Sequence, residues 1–278
     1  PAQSASRSAN NRPAPARSGI KFMAPSQQLT GHLWPFPCTR QSMIAALALW
    51  LATGLDPPTI FERFTKEVDR RLTLPAEEQE FYRQLIIPLD EPQYIAVIDR
   101  NPHVQALLLY FFTNESDALF IGATPVSTGL PGAFEHFTTP TGFFLHDPLN
   151  PDYRALGTRN QQGIRGYGCQ GLRVFDFGWV KATKGWGDRR ESLMRLQMHS
   201  TDPDRLEPRL GRALSKGCIR IPASLNVFLD RYGLLDAAYL GAAQVLRADR
   251  EPASWPGRYV LVIDSARTQR PAWSPLPR

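Results

Sequence analysis

From Pro92 onwards the chain breaks into short apolar and β-branched runs closed off by glycine and proline, a pattern that few helical folds can accommodate. The runs are Tyr94 to Ile98, Ala106 to Phe112, Leu119 to Val126, Gly142 to His146, Leu172 to Phe177, Leu193 to His199 and Tyr259 to Ile263. Each has the length and side-chain chemistry of a strand. One helix is predicted among them, at Pro222 to Tyr232, with Gly233 as its C′ residue. No internal repeat is visible. The expectation is a mainly β (α+β) domain over residues 91–267, followed by a C-terminal tail at 268–278.

Upstream the pattern is different. Residues 1–40 are rich in Pro, Ser, Ala, Asn and Arg, and their scattered apolar residues cannot bury enough area to offset ordering entropy, so they read as a disordered basic tail. The sequence starts at Pro1 without an initiator methionine, which suggests that a leading segment has been removed. Arg7, Arg12, Arg17, Lys21 and Arg40 account for +5 of the net +6, leaving 27 basic against 26 acidic residues. The remainder is nearly neutral, so no nucleic-acid-binding face is expected. Residues 41–90 read as a helical unit. Met43 to Ala52 forms a strong helix pattern, too short to span a bilayer, with a signal-peptide core as the alternative. Thr59-Ile60-Phe61-Glu62 has capping-box spacing, with Phe61, Phe64, Val68 and Leu72 following at helical intervals, and Pro75-Ala76-Glu77-Glu78 opens a further helix. This unit could dock a partner, bind substrate or cover the flank of the main domain, and covering is the default.

Three cysteines without a CxxC pair exclude a dense disulfide framework, a zinc ribbon and a thioredoxin-like site. Cys218 is the one in a reactive setting. It follows Gly217 just before a helix start, where free backbone N–H groups favour a thiolate, and Lys216 adds a nearby cation. His199 ends a strand, a rigid place for a general base. Thiol chemistry needs a cysteine, an imidazole, a group to orient it and donors for an oxyanion. All four could be supplied here, although a lone cysteine is also a good buried hydrophobe and a lone histidine a satisfied polar residue.

His199, fifteen intervening residues and Ser215-Lys216-Gly217-Cys218-Ile219-Arg220 together resemble the signature of the L,D-transpeptidase (YkuD, ErfK/YbiS) family. That signature is a histidine, 14 to 17 residues, then [S/T]-H-G-C, a hydrophobic residue and Asn or Arg. Tyr94 to Asp99, Pro125-Val126-Ser127-Thr128-Gly129 and Thr139-Pro140-Thr141-Gly142-Phe143 match further family segments in order, so the likeness covers roughly residues 93–233. It implies a β-sandwich or barrel with one helix after the cysteine, and attack by Cys218 on the third residue of a peptidoglycan stem tetrapeptide. Terminal D-alanine leaves, and the amine of a second stem resolves the thioester to cross-link third residues. His199 would be the base, oriented by the Ser200 carbonyl, with Gly217 and Cys218 N–H groups as oxyanion donors. Ser215, Lys216 and Arg220 fall on the substrate side, Arg220 either holding a carboxylate or buttressing the loop. Lys216 stands where the family usually has His, which bears on acceptor choice.

The same resemblance implies an exported protein of the periplasm or cell wall, with peptidoglycan stem peptides as partners and no cofactor or metal. A wall-attached protein or periplasmic partner could meet residues 41–90. A same-fold hydrolase, whether carboxypeptidase or cleaver of protein-to-peptidoglycan links, and an inactive wall-binding protein remain open. In an exported enzyme Cys38 and Cys169 could pair. His136 and His146 read as surface or satisfied core histidines. Asp147 to Arg190, with Gly163, Gly166, Gly168, Gly171, Gly185 and Gly187 interspersed with Tyr167, Trp179 and Trp186, reads as an insertion partly bordering the cleft.

Overall fold

The computed structural model describes residues 54–86, 89, 91–113, 117–239 and 246–274. The basic tail, the Met43 to Ala52 helix and Cys38, with its proposed pairing to Cys169, lie outside them. Helices α1 (Pro57–Glu67) and α2 (Ala76–Gln84) precede nine strands: β1 (Gln93–Asp99), β2 (Ala106–Phe112), β3 (Ala118–Pro125), β4 (Gly142–Leu145), β5 (Tyr153–Arg154), β6 (Arg173–Thr183), β7 (Glu191–His199), β8 (Ile219–Arg220) and β9 (Tyr259–Ile263). A third helix, α3 (Ala223–Tyr232), lies between β8 and β9, and Gly233 takes its left-handed C′ position at φ 58°.

The strands form two mixed sheets, so the chain is mainly β. One has the order β3-β2-β1-β9-β4, the other β5-β6-β7-β8. All pairings are antiparallel except β1 with β9 and β7 with β8. The long apolar runs of β1 and β2 have a physical cause: both strands are buried along their whole length. Tyr94, Ala96, Ile98, Leu107, Leu109 and Phe111 face a core shared with Phe175, Met194, Leu196 and Met198 of the second sheet and with α3. Ile95, Val97, Leu108, Tyr110 and Phe112 face a second core closed by α2.

The N-terminal helices therefore do not make a unit of their own. Ile60 and Phe64 of α1 belong to the first core, Tyr82 of α2 to the second. Phe64 lies against Phe228 of α3, ring centroids 5.4 Å apart, in space left open by Gly122. The start of α1 also differs from the capping-box expectation. Asp56 accepts from the Thr59 N–H at 2.9 Å and Pro57 and Pro58 fill the first turn, so the helix begins three residues early. It ends at Glu67, and Leu72 instead forms a bridge with Ala123. Residues 268–274 are docked rather than a free tail. Trp273 meets Tyr82 at 6.0 Å, and the Ser274 hydroxyl donates to carbonyls of His103 and Val104.

Candidate active site

The second sheet buries one face along its length and the other only at the His199 end. Leu196, Met198 and Ile219 point into the core, so the alternate residues of β7 and β8 leave the opposite, outer face. The parallel register sets Met198 beside Ile219 and His199 beside Arg220. Cys218, one residue before Ile219, thus lies against the last turns of β7, and its thiol donates to the Arg195 carbonyl at 3.8 Å.

The loop carrying Cys218 is held from both ends. Ser127 exchanges two main-chain hydrogen bonds with Arg220, and Thr128 and Leu130 bond Ser215. Thr139 accepts from the Gly129 N–H at 2.8 Å and donates to the Gly217 carbonyl at 2.6 Å. Two of the segments that carried the family likeness, Pro125 to Gly129 and Thr139 to Phe143, thus meet residues 215–220, whereas Tyr94 to Asp99 lies in the other sheet. Gly217 sits at φ 134°, which favours glycine, and a Cβ there would lie 2.9 Å from the mobile end of the Met194 side chain.

His199 is 5% exposed. Its Nδ1 meets the Ser200 carbonyl at 2.5 Å, the orientation anticipated from sequence, which leaves Nε2 with a lone pair. Burial, with a contribution from Arg220, pushes the imidazole pKa down to about 4, so the ring is neutral at neutral pH. The Cys218 thiol moves the opposite way from expectation. Burial raises its pKa, outweighing N–H groups of Gln197 and Cys218 and the charge of Arg220. The pair at rest is a thiol and a neutral imidazole.

Three expected site residues, Ser215, Lys216 and Gly217, take different places. Ser215 is buried, and its hydroxyl accepts from the Gly217 N–H at 3.0 Å and donates to the Cys218 carbonyl at 2.5 Å, so it shapes the turn rather than meeting substrate. The Gly217 N–H is thereby committed and is not an oxyanion donor. Lys216 turns outward to Glu135 at 2.9 Å, with both side chains largely exposed, and adds no charge at the thiol. Ser200 acts through its carbonyl alone. Arg220 remains close to the thiol and the imidazole; its one described contact is to the Leu214 carbonyl at 3.4 Å, and no carboxylate among the described residues pairs with it.

Sequence reasoning missed the floor beneath the thiol. Asp176, fully buried, accepts from Arg195 Nε at 2.7 Å and Gln197 Nε2 at 2.8 Å, fixing β7 where the thiol rests. The Asp147 to Arg190 stretch is only partly loop, because β6 runs through it to Thr183. Its loop portion, 155–172, caps one end of the site. The Tyr167 ring lies 4.6 Å from that of His199, its hydroxyl donates to Gln197 Oε1 at 3.2 Å, and Asp202 ties the loop down through the Arg165 N–H. A cavity of about 640 Å³ opens beyond Tyr167, lined by Tyr153, Leu156 and Ile164 and reaching neither Cys218 nor His199.

No protein-family model and no curated protein matches the sequence. Among solved structures, the chain is similar to the helical cell shape determining protein Pgp2 from Campylobacter jejuni, at 16% identity and a TM-score of 0.31. The alignment covers 68% of this chain and 56% of that one. The K307A mutant of Pgp2 gives 16% identity, a TM-score of 0.30 and coverage of 70% and 58%. The chain thus spans less than three fifths of either.

The remaining histidines divide as expected. His146 is buried with Nδ1 on the Leu235 carbonyl and Nε2 on Asp152, whereas His136 is half-exposed and bonds the Phe134 carbonyl. No cluster of metal-ligating side chains occurs among the described residues, and none of their helices is long and apolar enough to cross a membrane. Trp186 packs on Phe137 at 5.0 Å, whereas Trp179 is 66% exposed.

Proposed function

We propose that the chain is a cysteine acyltransferase of L,D-transpeptidase type that acts on peptidoglycan stem tetrapeptides in the periplasm or cell wall. The observation that carries this reading is the state of His199. It is a buried, neutral imidazole whose Nδ1 is held by Ser200, leaving Nε2 as a base on the sheet face that also bears the Cys218 thiol.

In the proposed cycle His199 Nε2 takes the thiol proton as sulfur attacks the carbonyl of the third stem residue. The Cys218 amide is the main-chain donor left to meet the oxyanion, since that of Gly217 is committed. Collapse breaks the peptide bond, and the departing D-alanine amine receives the proton from His199. The incoming amine of a second stem then attacks the thioester, gives its proton to His199 and releases the thiol, which is reprotonated. Water in place of the amine gives a carboxypeptidase. Arg220, with donors to spare beside the thiol, suits a substrate carboxylate.

Mass spectrometry of products formed from purified disaccharide tetrapeptide by the protein and its Cys218→Ala variant tests this. Cysteine-dependent loss of D-alanine with dimers joined through third residues is expected. Loss without dimers identifies a carboxypeptidase, and unchanged substrate removes the acyl-transfer reading.

A further inference from the structure

The outer face that carries the thiol is closed at one end and open at the other. At the closed end loop 155–172 brings Tyr167 over His199. At the open end the register pairs Trp179 with Arg195 and Lys181 with Leu193, and all four side chains leave the same face, since Val180 and Met194 between them face the core. Trp179 is 66% and Leu193 60% exposed, and they are diagonal cross-strand neighbours, near enough to form one apolar surface. Lys181 is exposed and has no ion pair among the described residues, while Arg195 is held by Asp176. An indole lying bare beside an aliphatic side chain and a free ammonium, on the floor of a candidate active site, has the chemistry of a sugar platform. Its face packs against pyranose C–H groups, and the ammonium donates to ring substituents.

The spacing fits the substrate. Trp179 lies two strand intervals across and two residues along from Cys218, roughly 12 Å, within reach once the indole's own length is allowed for. Three extended residues span about 10 Å, which is the distance from the attacked carbonyl back along a stem to its sugar. Loop 155–172 covers the end at His199, so the bare surface at Trp179 gives a polymer a way out of the site. We propose that Trp179, with Leu193 and Lys181, binds the sugar that carries the donor stem peptide. This inference rests on the acyl-transfer reading of Cys218.

The test compares kcat/KM for disaccharide tetrapeptide and for free tetrapeptide in the wild-type protein, Trp179→Ala and Trp179→Phe. The wild-type protein should prefer the disaccharide substrate. Trp179→Ala should lower the ratio of the two values about tenfold, through KM, with Trp179→Phe in between. Equal use of both substrates by the wild-type protein, or an equal fall on both in Trp179→Ala, overturns the platform while leaving acyl transfer standing. If neither substrate turns over, the acyl-transfer reading fails. Calorimetric titration of the wild-type protein and Trp179→Ala with disaccharide tetrapeptide then decides the platform, and binding that does not depend on Trp179 overturns it. A change of sedimentation in Trp179→Ala without a change in the ratio likewise overturns it, marking the face as a contact between copies of the chain.

Discussion

Strand β6 carries a polar cluster on each face, and the two are completed to different degrees. Inward, Arg173 is wholly buried against Asp152, Asp230 and Asp236 at 2.6, 3.3 and 2.9 Å, with Phe175 and Tyr239 rings beside its guanidinium. His146 spends both nitrogens there, and Tyr239 stacks on it at 4.6 Å. Burial works against the Asp152 carboxylate, yet His146 and Arg173 hold its pKa below the usual range. Outward, His199 spends one nitrogen, Cys218 makes a single long contact and Arg220 has no carboxylate. Two histidines buried to similar depth thus differ in what they have left. Matched on every side, a buried polar group becomes a strut; left with a lone pair beside a thiol, it has somewhere to put a proton.

The largest expected effect lies on the outer face. Cys218→Ala should lower turnover of disaccharide tetrapeptide by about 10⁴-fold or more without moving the unfolding midpoint. A shift in the midpoint would mean that the outer cluster also supports the fold. The inner face should respond in the converse way. Asp152→Ala leaves Arg173 and His146 short of a carboxylate inside the core, at a cost of about 3–5 kcal/mol in denaturant unfolding. The molecules that remain folded should alkylate Cys218 at the wild-type rate. Slower alkylation in that fraction would show that the two faces of β6 are coupled.

How far this contrast could be read from the sequence depends on what each feature rests on. β2 spans Ala106–Phe112 and β9 spans Tyr259–Ile263, as the apolar runs suggest, because a strand buried on both faces announces itself by unbroken hydrophobicity. His199 and Cys218 were singled out through the family resemblance, which also implied the Ser200 carbonyl as partner of the imidazole, and the fold sets the two residues on one sheet face with that carbonyl on Nδ1. The Arg173 cluster was not legible. Its members come from β6, the residue before β5, α3 and the turn after α3, so nothing local in the chain links Asp152 to Asp230 or Asp236. β8 is two residues long and exists only because Met198 and His199 lie alongside it. The direction of Lys216 was misjudged for a related reason: Glu135, which draws it away from the thiol, is 81 positions upstream.

A smaller effect separates the imidazole of the site from an ordinary one. His199 has a pKa of about 4 when folded against 6.5 as its ordinary value, so between these the unfolded chain holds a proton that the folded chain does not. The contribution of this group to stability is present in full above pH 6.5 and is lost as pH falls to about 4, by on the order of 3 kcal/mol. Urea unfolding across that range should show a slope that His199→Gln removes. If His199 is the base, the acid limb of kcat/KM should likewise fall near pH 4. A limb near 6.5 would mean that substrate or water reaches the ring and restores its ordinary basicity.

The smallest effect concerns Lys216. A cation beside a thiol lowers its pKa, but the Lys216 ammonium is largely exposed, paired with Glu135 and absent from the influences on Cys218. Solvent screens what remains of its field. Lys216→Gln should therefore change the rate of Cys218 alkylation by less than about twofold across pH 7 to 10. Arg220→Gln should slow it more in the same range, because Arg220 is the cation that acts on the thiol. The reverse ranking would place Lys216 inside the site in solution and restore the role first assigned to it.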